Sequence, residues 1–185
     1  MPTAYIALGA NIGNTRETLR DAVHRFGALG RVAAVSSPYE TAPVGYQGQP
    51  AFLNAVARLE TCLDPPTLLT ALLAIEAALG RVRTFPNAPR TLDLDLLFYD
   101  NLILDSPTLV LPHPRFHERA FVLVPLAEIA PDLLHPLLRR TARDLLAALG
   151  PLDGLISPPL VPLDPPTVEK SPLSRASGEG VGGEG

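Results

Sequence analysis

The sequence predicts a single mixed α/β domain over residues 1–150, followed by a Pro/Gly/Ser-rich tail over 151–185. Three observations predict it. Apolar and polar residues alternate strictly around 92–96, and over 51–61 Phe52, Asn54, Val56 and Arg58 alternate against Leu53, Ala55, Ala57 and Leu59, which marks strands whose residues two apart share a face. Helix-start signals at Asn14 and Asp64 open apolar-striped segments between the strand runs. After Gly150 the composition turns to Pro, then Ser, Gly and Glu. Such a segment buries too little apolar area to offset its ordering entropy, so disorder is expected from about residue 155 onward.

Taken in order, Thr3–Leu8 reads as a buried strand ending at Gly9, and Gly9–Asn14 as a turn without the spacing of a dinucleotide-binding loop. Asn14 caps a helix, and Glu17 completes a capping-box pattern. Leu19, Ala22, Val23 and Phe26 form the helix's apolar stripe. Arg31–Ser37 is a second short strand. Pro38–Pro50 holds three prolines and two glycines and reads as a long loop, a type of segment that often carries function. Ala51–Thr61 resumes as a strand, with Asn54 an unusual residue for its interior. Asp64 caps a second helix with Pro65 in its first turn, running to Leu79 and stopping at Gly80. Glu76 sits near that helix's C-terminal end, where the dipole disfavours an acid, so it needs an arginine partner or a site role.

Arg81–Arg90 forms a basic connector that leads into Thr91-Leu92-Asp93-Leu94-Asp95-Leu96. Beyond it, 101–104 and 109–111 suggest a short hairpin. His113, Arg115, His117 and Arg119 then cluster ahead of Phe121. Phe121–Ile129 is an ordered segment, and Ala142–Leu149 a helix.

Bulk properties exclude several function classes. Net charge is −4, and residues 151–185 carry five acids against two bases, which leaves the body near −1. That is no basic footprint for nucleic acid and no polybasic membrane patch. A single cysteine, Cys62, excludes an internal disulfide framework or a cysteine-built metal site. No apolar run reaches membrane-spanning length and no signal-peptide pattern opens the chain, so the cytoplasm is the expected compartment. The only lysine is Lys170, so phosphate chemistry in the body must rest on arginine, without a phosphate-loop lysine.

The chemistry concentrates at Asp93 and Asp95. On a strand both carboxylates stand on one face while Leu92, Leu94 and Leu96 enter the core. Such a pair repels itself unless a proton is shared or a cation lies between, and a hard divalent ion such as Mg²⁺ suits it. A wet acidic strand face is the alternative. The arginines just upstream are what a polyphosphate requires beside a metal, or they neutralise the two acids.

Six stretches together resemble the 6-hydroxymethyl-7,8-dihydropterin pyrophosphokinase family of the folate pathway: Ala4–Asn11, Tyr39–Gly45, Phe52–Ala55, Gly80–Arg83, Pro89–Asp95 and Leu111–Phe121. The string Pro-Arg-Thr-Leu-Asp-Leu-Asp followed by Pro-His carries most of the specificity. The resemblance implies a ferredoxin-like fold, a mostly antiparallel sheet with packed helices. It implies transfer of a diphosphoryl group from ATP to the hydroxymethyl of the dihydropterin, releasing AMP, by a monomer. By match to the family's motifs, Asp93 and Asp95 would hold two Mg²⁺ ions, and Arg81 and Arg90 would be the catalytic clamps. Glu76, His113 and Arg119 fall at nucleotide positions. Thr41, Pro43, Val44, Phe52, Asn54 and Phe121 fall at pterin positions. The chain departs from some members in carrying Asn87-Ala88 where they have Trp-Gly. Two rivals are a metal-dependent phosphohydrolase, which would need further His or Asp ligands near the pair, and a non-catalytic pterin- or nucleotide-binding module, which would need neither the arginines nor both aspartates.

Overall fold

The computed structural model describes residues 1–44, 48–82, 88–152, 154–157 and 159–163. Residues 45–47 of the long loop, 83–87 of the connector with Arg83 and Asn87, and the tail from 164 lie outside the described residues. In chain order the elements are β1 (Thr3–Ala10), α1 (Thr15–Phe26), β2 (Arg31–Val35), β3 (Tyr39–Thr41), β4 (Phe52–Glu60), α2 (Pro65–Ala78), β5 (Asp93–Tyr99), β6 (Leu104–Asp105), β7 (Val110–Leu111), α3 (Ala120–Ile129) and α4 (Ala142–Ala148).

The main sheet runs β2-β4-β1-β5, with β3 lying on β4 beside β2, and its pairings are antiparallel. The crossovers through α1 and α2 each step over one intervening strand, which is the split β-α-β pattern of a ferredoxin-like fold. Period-two alternation sorts the side chains. Ile6 and Leu8 of β1, Leu53, Ala55, Ala57 and Leu59 of β4, and Leu94 and Leu96 of β5 meet α1 and α2 in one core. Tyr5, Val56, Leu97 and Phe98 meet α3 and α4 on the opposite face. Ile6 pairs with Leu96 but Tyr5 with Phe98, so Leu97 is an extra residue, and this bulge turns both Leu97 and Phe98 to the second layer.

The helix signals act as expected, with one variation. Asn14 accepts from the Glu17 N–H, but the Glu17 carboxylate accepts from the Asn14 side-chain amide at 2.8 Å rather than from its backbone. Asp64 accepts from the Thr67 N–H at 3.0 Å, and Gly80 follows α2 with φ +81, a conformation that suits glycine.

Three sequence expectations are corrected. β1 continues through Gly9 to Ala10, because its register with β4 and β5 extends that far. The stretch read as loop from Pro38 contains β3, held by pairing with β4. Residues 155–157 and 159–163, read as disordered, lie on the domain: Leu155 bridges Thr41, and Leu163 is buried in the α1/α2 core.

Candidate active site

The helical layer of α3 and α4 covers the half of its sheet face around Val56 and Leu97. Beyond that cover, the same face carries Phe52 and Asn54 of β4, Ala7 and Gly9 of β1, and Asp93 and Asp95 of β5. Register places Asn54, Gly9 and Asp93 in one cross-strand row, and Val56, Ala7 and Asp95 in the next. The middle strand thus supplies only small side chains between the amide and the carboxylates. A Cβ at Gly9 would stand 3.0 Å from Asn54 Oδ1 and 4.0 Å from the Asp93 Cβ, so glycine keeps this floor open.

On one side of the row, Asn54 is buried and donates from Nδ2 to Thr41 Oγ1 at 2.7 Å, also buried. Pro43 is half-buried and Val44 is 66% exposed, so the structure packs Thr41 and Asn54 together but leaves Val44 at the open rim. Phe52 lies under the Arg90 guanidinium, with 5.5 Å from its centre to the ring.

On the other side, Asp93 accepts from both predicted clamps. Arg90 Nη1 donates to Asp93 Oδ2 at 2.5 Å, and Arg81 Nη1 donates to Asp93 Oδ1. Arg81 also donates to Glu76 Oε1 at 2.5 Å, and the same oxygen accepts from the Leu94 N–H at 2.7 Å. The misplaced acid at the end of α2 therefore has an arginine partner, one of the two explanations the sequence left open, and it ties that arginine to the β5 backbone. The Nε of Arg90 is buried with no hydrogen-bond partner among the described residues.

Asp95 is electrostatically different from Asp93. Burial, then the adjacent Asp93 charge, push its carboxyl above the ordinary range, while His113, Arg119 and Arg81 pull it down. Burial likewise pushes His113 below its usual value against the pull of Asp95. The His113 N–H donates to the Leu97 carbonyl at 2.9 Å, and its Nδ1 accepts from the Arg115 N–H at 3.3 Å. Arg119 precedes α3 and lies over the Phe121 ring at 5.7 Å.

Among the described residues no group of three or more His, Cys, Asp or Glu side chains gathers as metal ligands. Two hard carboxylate oxygens donors on one face fit an ion such as Mg²⁺, which keeps several positions for water and phosphate oxygens.

Sequence reasoning missed Asn11. It is buried, donates to Gln49 Oε1 at 2.9 Å and to the Pro50 carbonyl at 3.1 Å, and accepts from the Arg90 N–H at 2.8 Å. It pins the clamp residue to the end of the β3–β4 loop. Its signal was an amide directly after an apolar strand, read as turn chemistry alone.

Residues 5–131 match the family described as 7,8-dihydro-6-hydroxymethylpterin-pyrophosphokinase. The 2-amino-4-hydroxy-6-hydroxymethyldihydropteridine pyrophosphokinase of Methylorubrum extorquens is 48% identical over 153 residues, covering 82% of this chain and 96% of that protein. The enzyme of the same name from Pseudomonas aeruginosa is 47% identical, covering 82% and 93%. The folic acid synthesis protein fol1 of Pneumocystis carinii is 45% identical over 133 residues, 71% of this chain but 18% of its own length. The chain thus spans about a fifth of the fungal proteins it matches. A Plasmodium falciparum HPPK-DHPS crystal structure with pteroate shares the fold, at TM-score 0.67 and 16% identity over 80% of this chain and 44% of that one. The chain belongs to the 7,8-dihydro-6-hydroxymethylpterin-pyrophosphokinase family.

Proposed function

We propose that this chain transfers the diphosphoryl group of ATP to the hydroxymethyl of 6-hydroxymethyl-7,8-dihydropterin, giving AMP and the pterin diphosphate. One observation carries the reading: the row Asn54–Gly9–Asp93 sets a buried amide beside a carboxylate with only glycine between. A flat heterocycle whose edge offers donors and acceptors suits the amide, and a phosphate chain with its cation suits the carboxylate end. Thr41, Pro43, Val44, Phe52, Asn54 and Phe121 line the pterin end. Thr41 orients the Asn54 amide through its 2.7 Å hydrogen bond, and the two rings offer stacking faces.

Asp93 and Asp95 would hold Mg²⁺, two ions by family resemblance, which when bound would neutralise the triphosphate and polarise its phosphoryl oxygens. His113 and Arg119 bind the nucleotide beside Asp95. Glu76 fixes Arg81 from below and so acts on the nucleotide side through that arginine. Arg81 and Arg90 both hold Asp93 in this structure, so phosphate oxygens arriving at the guanidiniums exchange with that carboxylate and release it. The hydroxymethyl oxygen attacks the β-phosphorus, the bond from that phosphorus to the α–β bridging oxygen breaks, and the hydroxyl proton is lost. Arg81 and Arg90 stabilise the charge that develops on the transferred group.

Incubation of the chain with ATP, Mg²⁺ and the dihydropterin, followed by chromatography, tests the reading. AMP and pterin diphosphate in equal amounts are expected. Stoichiometric ADP overturns it, and inorganic phosphate without a modified pterin points to the phosphohydrolase.

A further inference from the structure

We propose that residues 154–157 and 159–163 form a strap that positions the pterin-lining end of β3, making the segment after α4 part of the substrate site's construction. The proposal rests on reading Thr41–Val44 as pterin-lining. β3 is only three residues long, and its one strand partner is β4. So short an edge strand has little stability of its own. The strap pairs with its other edge. The Ala42 N–H donates to the Gly154 carbonyl at 2.7 Å, Leu155 bridges Thr41 in antiparallel sense, and the Ile156 N–H donates to the Glu40 carbonyl at 2.9 Å. Further along, the Leu160 N–H donates to the Pro38 carbonyl at 2.9 Å.

The far end is fastened twice. Arg16 Nη2, in the first turn of α1, donates to the Val161 carbonyl at 2.7 Å and to the Pro162 carbonyl at 3.3 Å. Leu163 then enters the core beneath α1 and α2. Between these anchors the side chains bury little: Ile156 is 55% and Val161 74% exposed. The strap therefore acts on the domain mainly through backbone hydrogen bonds, and those bonds fall on 38–42. Thr41 lies between the bonds at Glu40 and Ala42, and its hydroxyl accepts from the Asn54 amide. Releasing the strap frees Thr41 to move and so loosens the amide that reads the substrate edge. Among the described residues none of the strap's hydrogen bonds reaches Arg81, Asp93 or Asp95, so the nucleotide end is left in place.

The test is Ile156→Pro in the full chain, which deletes the N–H given to Glu40 while losing little side-chain burial. Ile156→Val, which keeps the N–H, is the rescue. Leu145→Ala in α4 is the destabilised control, remote from β3. Each is read by hydrogen exchange over 38–44, by titration with the dihydropterin in the presence of Mg²⁺ and a non-hydrolysable ATP analogue, and by separate KM values. For Ile156→Pro, loss of one hydrogen bond predicts exchange over 40–42 faster by about tenfold and pterin KM higher by about fivefold, with KM for ATP unchanged. Ile156→Val and Leu145→Ala should keep wild-type pterin KM. Unchanged exchange, or faster exchange with unchanged pterin affinity, overturns the proposal. A wild-type chain that binds no pterin overturns the substrate reading instead, and with it the strap's role, a result the wild-type titration distinguishes on its own.

Discussion

Asp93 and Asp95 are neighbours on one strand face with opposite circumstances. Asp93 is held by two guanidiniums, whereas Asp95 is buried and pushed upward, first by burial and then by its neighbour. A carboxyl whose folded value is raised binds more protons in the native state than in the unfolded chain. Its penalty is absent below the ordinary carboxylate range, grows as pH rises through that range, and is complete above the raised value. Asp95→Asn should therefore melt at a higher temperature than wild type at pH 7 in metal-free buffer, with the difference shrinking toward pH 4. The same variant should lose turnover, since a neutral amide is a poor ligand for a hard cation. Thermal melts across that pH range and an AMP assay check both halves. Retained activity would remove Asp95 from the metal-binding set.

At the scale of elements, β3 is held from both sides of the sheet. Beyond its pairing with β4 and the strap, Glu128 of α3 accepts from the Ser37 N–H at 3.0 Å, from Ser37 Oγ at 2.9 Å and from the Tyr39 hydroxyl at 2.8 Å. Burial, then the hydrogen bond and charge of Glu128, push the Tyr39 phenol up to about 12. The folded state keeps the phenol proton where the unfolded chain releases it, so the associated stability is full below about pH 10 and is lost as pH rises toward 12. Tyr39→Phe should cost about 1 kcal/mol at pH 8, the usual net worth of such a bond. Urea titrations from pH 8 to 11 should show that gap closing as wild type loses stability faster. A gap of constant size would show that the phenol does not carry the linkage. This element also marks the limit of what the sequence discloses. Alternation disclosed β4 and β5, and with them the shared face of Phe52 and Asn54 and that of Asp93 and Asp95. Helix caps at Asn14 and Asp64 disclosed α1 and α2. β3 and the strap have no such local pattern: each lies among prolines and exists through its partner, which is a long-range fact. Register is of the same kind. Gly9 reads as the end of a strand until pairing shows it between Asn54 and Asp93. Glu76 was legible in the opposite way, as a helix-end acid whose position needed either an arginine partner or a site role, and the structure supplies the arginine.

For the whole molecule, the site joins β1, β4, β5, the end of α2 and the segment that enters α3, so filling it should stabilise the entire domain. No helix among the described residues is long and apolar enough to cross a membrane. A ligand that binds only the native state at about a hundred times its dissociation constant adds about 2.7 kcal/mol, on the order of several degrees for a domain of this size. ATP with Mg²⁺ should produce a shift of that order. ATP with a chelator should produce a much smaller one, because its phosphates then face Asp93 and Asp95 without a cation between them. Asp93→Asn brings a second effect: it frees Arg81 and Arg90 from the carboxylate, so metal-free ATP should stabilise that variant more than it stabilises wild type. Scanning calorimetry of both proteins with ATP, with and without Mg²⁺, gives the four shifts needed. If wild type gains equally from ATP in both conditions, the aspartates are not where the cation binds. If Asp93→Asn responds to metal-free ATP no better than wild type, the exchange of Arg81 and Arg90 between Asp93 and the phosphates is wrong, even where Mg²⁺ dependence holds.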